Sequence, residues 1–265
     1  MIIMGWNYLI IFLLAAALLC AVGFYRYVYF LSIGYGFAIA GLGILILVLF
    51  HTQMQAVNVV QCILLVVYGA RLSGFLIVRE IRNAAYRKTL SSVTSGEGTM
   101  PVFVKIAIWL VVAVLYVIQI SPVFFRLYNG ARDTVLPWTG AAVSVFALFI
   151  ETLADHQKGA QKAANPDMVA TSGLYRMVRC PNYFGEILYW TGVTLGGLSA
   201  LSGWGQWAMV LLAYVSIIAV MFSGAKRLEK RQMARYGKLP AYQEYADKTP
   251  VLLPLVPIYH LNKSK

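Results

Sequence analysis

Apolar stretches of about 20 residues recur along the chain, each long enough to cross the hydrocarbon core of a bilayer. No other feature constrains the fold as strongly. Without water in that core, every backbone polar group must be satisfied internally, and helices meet this demand within a single segment. With 60% of its 265 residues hydrophobic, the chain lies well above the soluble range of about 45–50%. The expected fold is an all-α integral membrane protein with seven transmembrane helices. The spans fall at roughly 6–24, 28–50, 56–78, 102–121, 138–154, 184–201 and 207–224. The first, Trp6 to about Gly23, is expected to remain as a span. It lacks a basic segment before it, and the next apolar run begins almost at once.

The connections alternate in charge. Arg26 marks the first, and His51 to Gln55 is neutral. Residues 79–100 carry Arg79, Arg82, Arg87 and Lys88. Residues 122–138 are nearly balanced, with Arg126, Arg132 and Asp133. The 155–183 segment is basic and Ser202 to Gln206 is neutral. The tail holds Lys226, Arg227, Lys230, Arg231, Arg235 and Lys238. With seven spans every basic connection lies on one side. Lys and Arg mark the cytoplasm, so the N-terminus is expected outside and the C-terminus inside. The net charge of +12 is read as this bias rather than as nucleic-acid binding. The surplus could attract an anionic cofactor or anionic lipid. Cys20, Cys62 and Cys180 lie in or beside apolar segments and imply no disulfide framework. Residues 91–100 are expected to form a mobile loop. Pro122 and Pro137 bracket spans, and residues 226–236 could extend the last span as a surface helix. The whole chain, 1–265, is read as one transmembrane domain; 1–101 is its less diagnostic part.

Three clusters carry ionisable groups to the expected cytoplasmic ends of spans, where an unpaired charge is costly. Glu151 and Asp155 are four apart on one helix face, with Lys158 and Lys162 beyond them. They read either as a solvated helix end or as a nucleotide site, with carboxylates for ribose or carboxamide and lysines for phosphate. Asn182 and Glu186 are again four apart, behind Arg179 and Pro181. An N-cap with an acid in the first turn accounts for Asn182. It accounts less well for Glu186, which lies deeper. An amide with a carboxylate could also clamp a nicotinamide carboxamide. In the tail, Arg227, Glu229, Arg231, Tyr236, Tyr242 and Tyr245 fit either an amphipathic surface helix or a cofactor-binding end. His51, His156 and His260 are scattered, with no metal-ligand spacing, so no metal site is expected. No Walker loop, nucleophile elbow or Rossmann fingerprint occurs.

The runs Glu151…Ala154-Asp155-His156-Gln157-Lys158 and Gly173-Leu174-Tyr175-Arg176…Arg179-Cys180-Pro181-Asn182-Tyr183-Phe184-Gly185-Glu186 resemble the steroid 5-alpha-reductase superfamily. The likeness is to its bacterial branch, long described as a domain of unknown function. It is strongest from about Pro137 to Pro254, and the reductase-like region is taken as 137–257. The resemblance implies NADPH as cofactor, bound by Asp155 and next Glu151, with Asn182 and Glu186 touching it. It also implies a cytoplasmic tail closing over it, with Tyr236 and Arg227 favoured there. Arg82, Lys162, Arg179 and Tyr245 complete the cofactor set. Tyr68, three residues before Arg71 and with Arg82 beyond, matches the spacing of a catalytic tyrosine. A phenol can polarise a ketone as hydride arrives at the β-carbon. The Gln-Glu pair of the animal enzymes has no counterpart here.

The function expected is therefore a membrane oxidoreductase that reduces an activated C=C bond of a lipid-like enone, of 3-oxo-4-ene steroid type, with hydride from NADPH. It would sit in a bacterial inner membrane with its cofactor site facing the cytoplasm. Its partners would be lipid-like substrate and membrane lipid, with no nucleic acid and no obligate protein partner. One alternative is an S-adenosylmethionine-dependent methyltransferase of isoprenylcysteine type. That family has a similar Gly-x-Tyr-Arg…Arg-His-Pro-x-Tyr stretch, with Cys180 here replacing its histidine. Another is a non-enzymatic lipid-binding membrane protein.

Overall fold

The computed structural model describes residues 5–94 and 100–262. Among them there are helices and no strands. The elements are α1 (Trp6–Cys20), α2 (Ile33–Leu49), α3 (Ala56–Arg82), α4 (Ala84–Thr94), α5 (Val102–Gln119), α6 (Ser121–Tyr128), α7 (Val135–Ala164), α8 (Pro181–Leu198), α9 (Gly203–Tyr236) and α10 (Pro240–Lys248). Five segments are long and apolar enough to cross a membrane: Trp6–Phe24, α3, α5, α7 and α9. α2 is apolar but has 17 residues. α8 has 18 residues, and Asn182 and Glu186 make its first turns polar.

The chain divides into two compact units. One comprises residues 1–141 and 193–213, the other 142–192 and 214–265.

Within the first unit, α2 and α3 pack through small residues. A Cβ on Gly69 would lie 2.2 Å from the Gly36 carbonyl oxygen and 2.7 Å from the Ala40 nitrogen. One on Gly43 would lie 3.0 Å from the Leu65 Cβ. Lipid tails are as apolar as leucine, so membrane helices associate through such close packing and through interhelical hydrogen bonds. The Ser73 hydroxyl supplies one, donating to the Ile33 carbonyl at 2.8 Å. Trp109 of α5 donates to the Ala17 carbonyl of α1 at 2.7 Å. The 122–138 connection, read only as nearly balanced in charge, contains the almost wholly buried α6. Its Arg126 side chain is 0% exposed. Nε donates to Asn58 Oδ1 at 3.0 Å and Nη2 to the Arg132 carbonyl at 2.8 Å, with Asp133 Oδ1 at 3.4 Å.

The second unit differs from expectation where α7 continues to Ala164, past the span expected to end at 154 and into the basic 155–183 connection. The extension positions residues 171–174. Gln161 Oε1 accepts from the Thr171 and Ser172 amides at 2.9 and 3.0 Å, and Gln157 Oε1 accepts from Leu174 N at 2.8 Å. Gly173 has a φ of +66°, and a Cβ there would strike the Gln157 amide, so the turn requires glycine. As expected, Pro122 and Pro137 stand at helix starts and the basic run 226–236 prolongs α9. Of the loop expected at 91–100, residues 91–94 end α4 and 95–99 lie outside the described residues.

Candidate functional site

Nine of the ten residues expected to bind a cofactor lie in the second unit, on α7, α8, α9, α10 and the segment before α8; only Arg82 does not. Glu151 is buried, and its Cγ would lie 2.5 Å from a Cβ on Gly185, so α7 and α8 meet closely beside this carboxylate. Asp155, one turn on, is partly exposed. Glu186 is buried, and its Oε1 accepts from Trp190 Nε1 at 3.1 Å. Asn182 is partly exposed in the first turn of α8. Tyr183 lines Gly224 of α9, where a Cβ would sit 3.3 Å from its ring.

The lysine and tyrosines are tied into the same unit. Lys162 Nζ donates to Tyr236 Oη at 3.0 Å and to the Met168 carbonyl at 2.7 Å. Tyr236 packs against Tyr242, with ring centroids 6.0 Å apart. Tyr245 donates its hydroxyl to the Tyr175 carbonyl at 2.6 Å. Burial raises the hydroxyl pKa of Tyr242 and of Tyr245 still further above neutral pH. Burial likewise pushes the Cys180 thiol up to about 11. Arg227 is exposed and its Nη1 donates to Ser223 Oγ at 3.1 Å.

Arg179 has a role that its spacing did not announce. Its Nη2 lies 2.7 Å from Glu229 Oε1, with the side chains 2% and 4% exposed. It also donates to the Tyr259 carbonyl. Glu229 Oε2 in turn accepts from the amides of Leu261 and Asn262, both at 2.9 Å, and from Asn262 Nδ2 at 2.7 Å. The backbone repeats the docking: Arg179 N and Cys180 N donate to the Pro250 and Val251 carbonyls at 2.8 and 3.0 Å. A buried ion pair thus fastens the C-terminal segment beside the start of α8.

In the first unit, Tyr68 is fully buried on α3, with its ring edge-on to Tyr35 at 6.0 Å; Tyr35 stacks on Tyr116 at 5.1 Å. Arg71 is partly exposed, and Arg82 is exposed in the last turn of α3.

The family model described as "Protein of unknown function (DUF1295)" matches residues 20–249. The chain belongs to this family. The match takes in Tyr68 and every candidate cofactor residue, and it stops just short of the segment that closes on Arg179. No curated protein and no solved structure matches the chain.

Sequence reasoning weighed Glu229 and Tyr242 but did not favour them, and it missed Tyr259 and Asn262. Glu229 lies 50 residues from Arg179, so no helical spacing links them. The acidic residue within an otherwise basic stretch of α9 was the one available sign.

Proposed function

We propose that this DUF1295 member is a seven-span reductase of a bacterial inner membrane, with its N-terminus outside and its C-terminus in the cytoplasm. It would reduce the activated C=C bond of a lipid-like enone, of 3-oxo-4-ene steroid type, with hydride from NADPH. The observation that carries the reading is the gathering of Glu151, Asp155, Lys162, Arg179, Asn182, Glu186, Arg227, Tyr236 and Tyr245 into one compact unit, although they span almost a hundred residues of sequence. The sequence resemblance to steroid 5-alpha-reductases adds the reaction type.

The donor set suits a dinucleotide. Asp155 and Asn182 are partly exposed, and a carboxylate and an amide suit hydrogen bonds to ribose or carboxamide. Arg227 and the lysines offer positive charge for phosphate. Glu151 and Glu186 are buried carboxylates, which suit NH2 donors of a carboxamide better than bulk solvent. NADPH would supply the hydride. The chain's residues bind and orient it, and Tyr68 would donate a hydrogen bond to the substrate carbonyl as negative charge develops on its oxygen.

The test is thermal stability of the detergent-solubilised protein with each nucleotide. NADPH should raise the melting temperature and S-adenosylmethionine should not. Asn182→Ala and Glu186→Ala should weaken NADPH binding, the former by about 1–3 kcal/mol. Stabilisation by S-adenosylmethionine alone would favour the methyltransferase. No effect of either nucleotide would favour a lipid-binding protein. Unchanged NADPH affinity in both variants would remove this site assignment.

A further inference from the structure

In the first unit, the turn before α2, the end of α3 and α4 border a cleft of about 420 Å³. Tyr29, Ile33, Ile77, Glu80, Ile81 and Arg87 line it. None of them belongs to the residues assigned to the cofactor or to catalysis. Leu90 of α4 is buried against Tyr29 and Ile33, which holds α4 beside the other two elements. Asn83 Oδ1 accepts from the Tyr86 amide at 2.9 Å and starts α4. Arg87 Nη1 then reaches back to the end of α3, donating to the Glu80 and Ile81 carbonyls at 3.0 and 2.7 Å. These bonds orient an exposed guanidinium at the cleft, and its Nε and Nη2 carry further N–H groups.

Within the same cleft, Glu80 is held by two partners. Arg26 Nη1 lies 2.7 Å from its Oε1. The Tyr29 hydroxyl donates to the carboxylate, 2.6 Å from each oxygen. A carboxylate has lone pairs beyond those that these bonds use, and the Glu80 side chain keeps 19% of its surface exposed.

The cleft therefore has two characters. Its isoleucine side is apolar, with Ile33 buried and Ile81 exposed. Its polar side sets two guanidinium groups, of Arg26 and Arg87, against the single Glu80 carboxylate, which leaves a net positive charge. Arg79, with its guanidinium 4.3 Å from the Tyr86 ring, and the exposed Lys88 add to it nearby. Basic groups beside apolar walls at a membrane boundary attract anionic headgroups.

We propose that this cleft binds an anionic phospholipid with a hydroxylated headgroup, of phosphatidylglycerol type. The phosphodiester, with its one negative charge, accepts from Arg87. An acyl chain lies along Ile33, Ile77 and Ile81, and a headgroup hydroxyl donates to Glu80. A zwitterionic headgroup brings no net charge and leaves the surplus cation unmatched. The site needs only the membrane fold and does not rest on the reductase reading.

The experiment is native mass spectrometry of the full-length protein released from detergent micelles. It is titrated with dioleoylphosphatidylglycerol and, separately, with dioleoylphosphatidylcholine. The anionic lipid should bind about fivefold or more tightly, the scale set by one basic side chain near an anionic headgroup. Arg87→Gln should remove most of that preference. Ile81→Trp fills the cleft and keeps every charge; it should weaken the anionic lipid as well, and it serves if Arg87→Gln does not fold. Lys238→Gln removes an equal charge from the tail of the second unit and should leave the preference intact. Glycerol 3-phosphate at the lipid's concentration should displace nothing, because it has no chain for the isoleucines. No preference in the unaltered protein, or a preference that survives both cleft variants, would overturn the proposal. An equal loss in Lys238→Gln would do so too, by showing a diffuse basic surface. Displacement by glycerol 3-phosphate would replace the lipid site with one for a free phosphate.

Discussion

The clearest energetic feature at the residue scale is Arg179. Burying a guanidinium is costly unless a carboxylate and hydrogen bonds replace its water, and Glu229 with the Tyr259 carbonyl does so at Nη2. Removing one partner leaves the other charged and buried. Glu229→Ala is therefore expected to destabilise the protein by about 3–5 kcal/mol, read as a lower melting temperature. Because Glu229 also holds the Leu261 and Asn262 amides, cleavage between Pro250 and Asn262 by added protease should become faster. An unchanged melting temperature and protease pattern would show that the pair holds nothing. The sequence singled out Arg179 as an ionisable group at a membrane boundary but not its partner, because the pairing is tertiary. Asn182 and Glu186 were legible because both lie within one helical turn of each other on the same element.

The elements arise from apolar length where lipid is the expected solvent and from local hydrogen bonding elsewhere. Hydropathy makes α3, α5, α7 and α9 readable from the chain. It does not report α6, whose buried Arg126 gives a polar signal in sequence, or the continuation of α7 to Ala164, which is polar. Gln157 and Gln161 use that continuation to organise the turn at Thr171–Leu174, and no hydropathy window detects such bonds. The α2–α3 pair depends on glycine at the crossing. Gly69→Ala would set a methyl against the Gly36 carbonyl, which is backbone and cannot turn aside. The expected cost is about 1–3 kcal/mol, again measured as a fall in melting temperature. Gly74→Ala on the same helix meets nothing within 4 Å and should be neutral or slightly stabilising. Equal effects of the two substitutions would contradict close α2–α3 packing.

For the whole molecule, helices without strands among the described residues and five segments of membrane-crossing length agree with the all-α membrane reading. The proposed seven spans add α2 and α8 to those five. α2 is close to spanning length, and α8 carries the Asn182 and Glu186 pair into its first turns. The alternation of basic and neutral connections then predicts opposite signals from topology reporters fused after Gln53 and after Lys265. Matching signals would refute the odd span count. The central claim is chemical, and enone-dependent oxidation of NADPH by purified protein tests it most directly. The protein should oxidise NADPH when given a 3-oxo-4-ene lipid, and Tyr68→Phe should lower kcat by roughly 100-fold or more, the scale of losing one oxyanion donor, with NADPH affinity barely changed. No oxidation with any enone, or full turnover in Tyr68→Phe, would contradict the account.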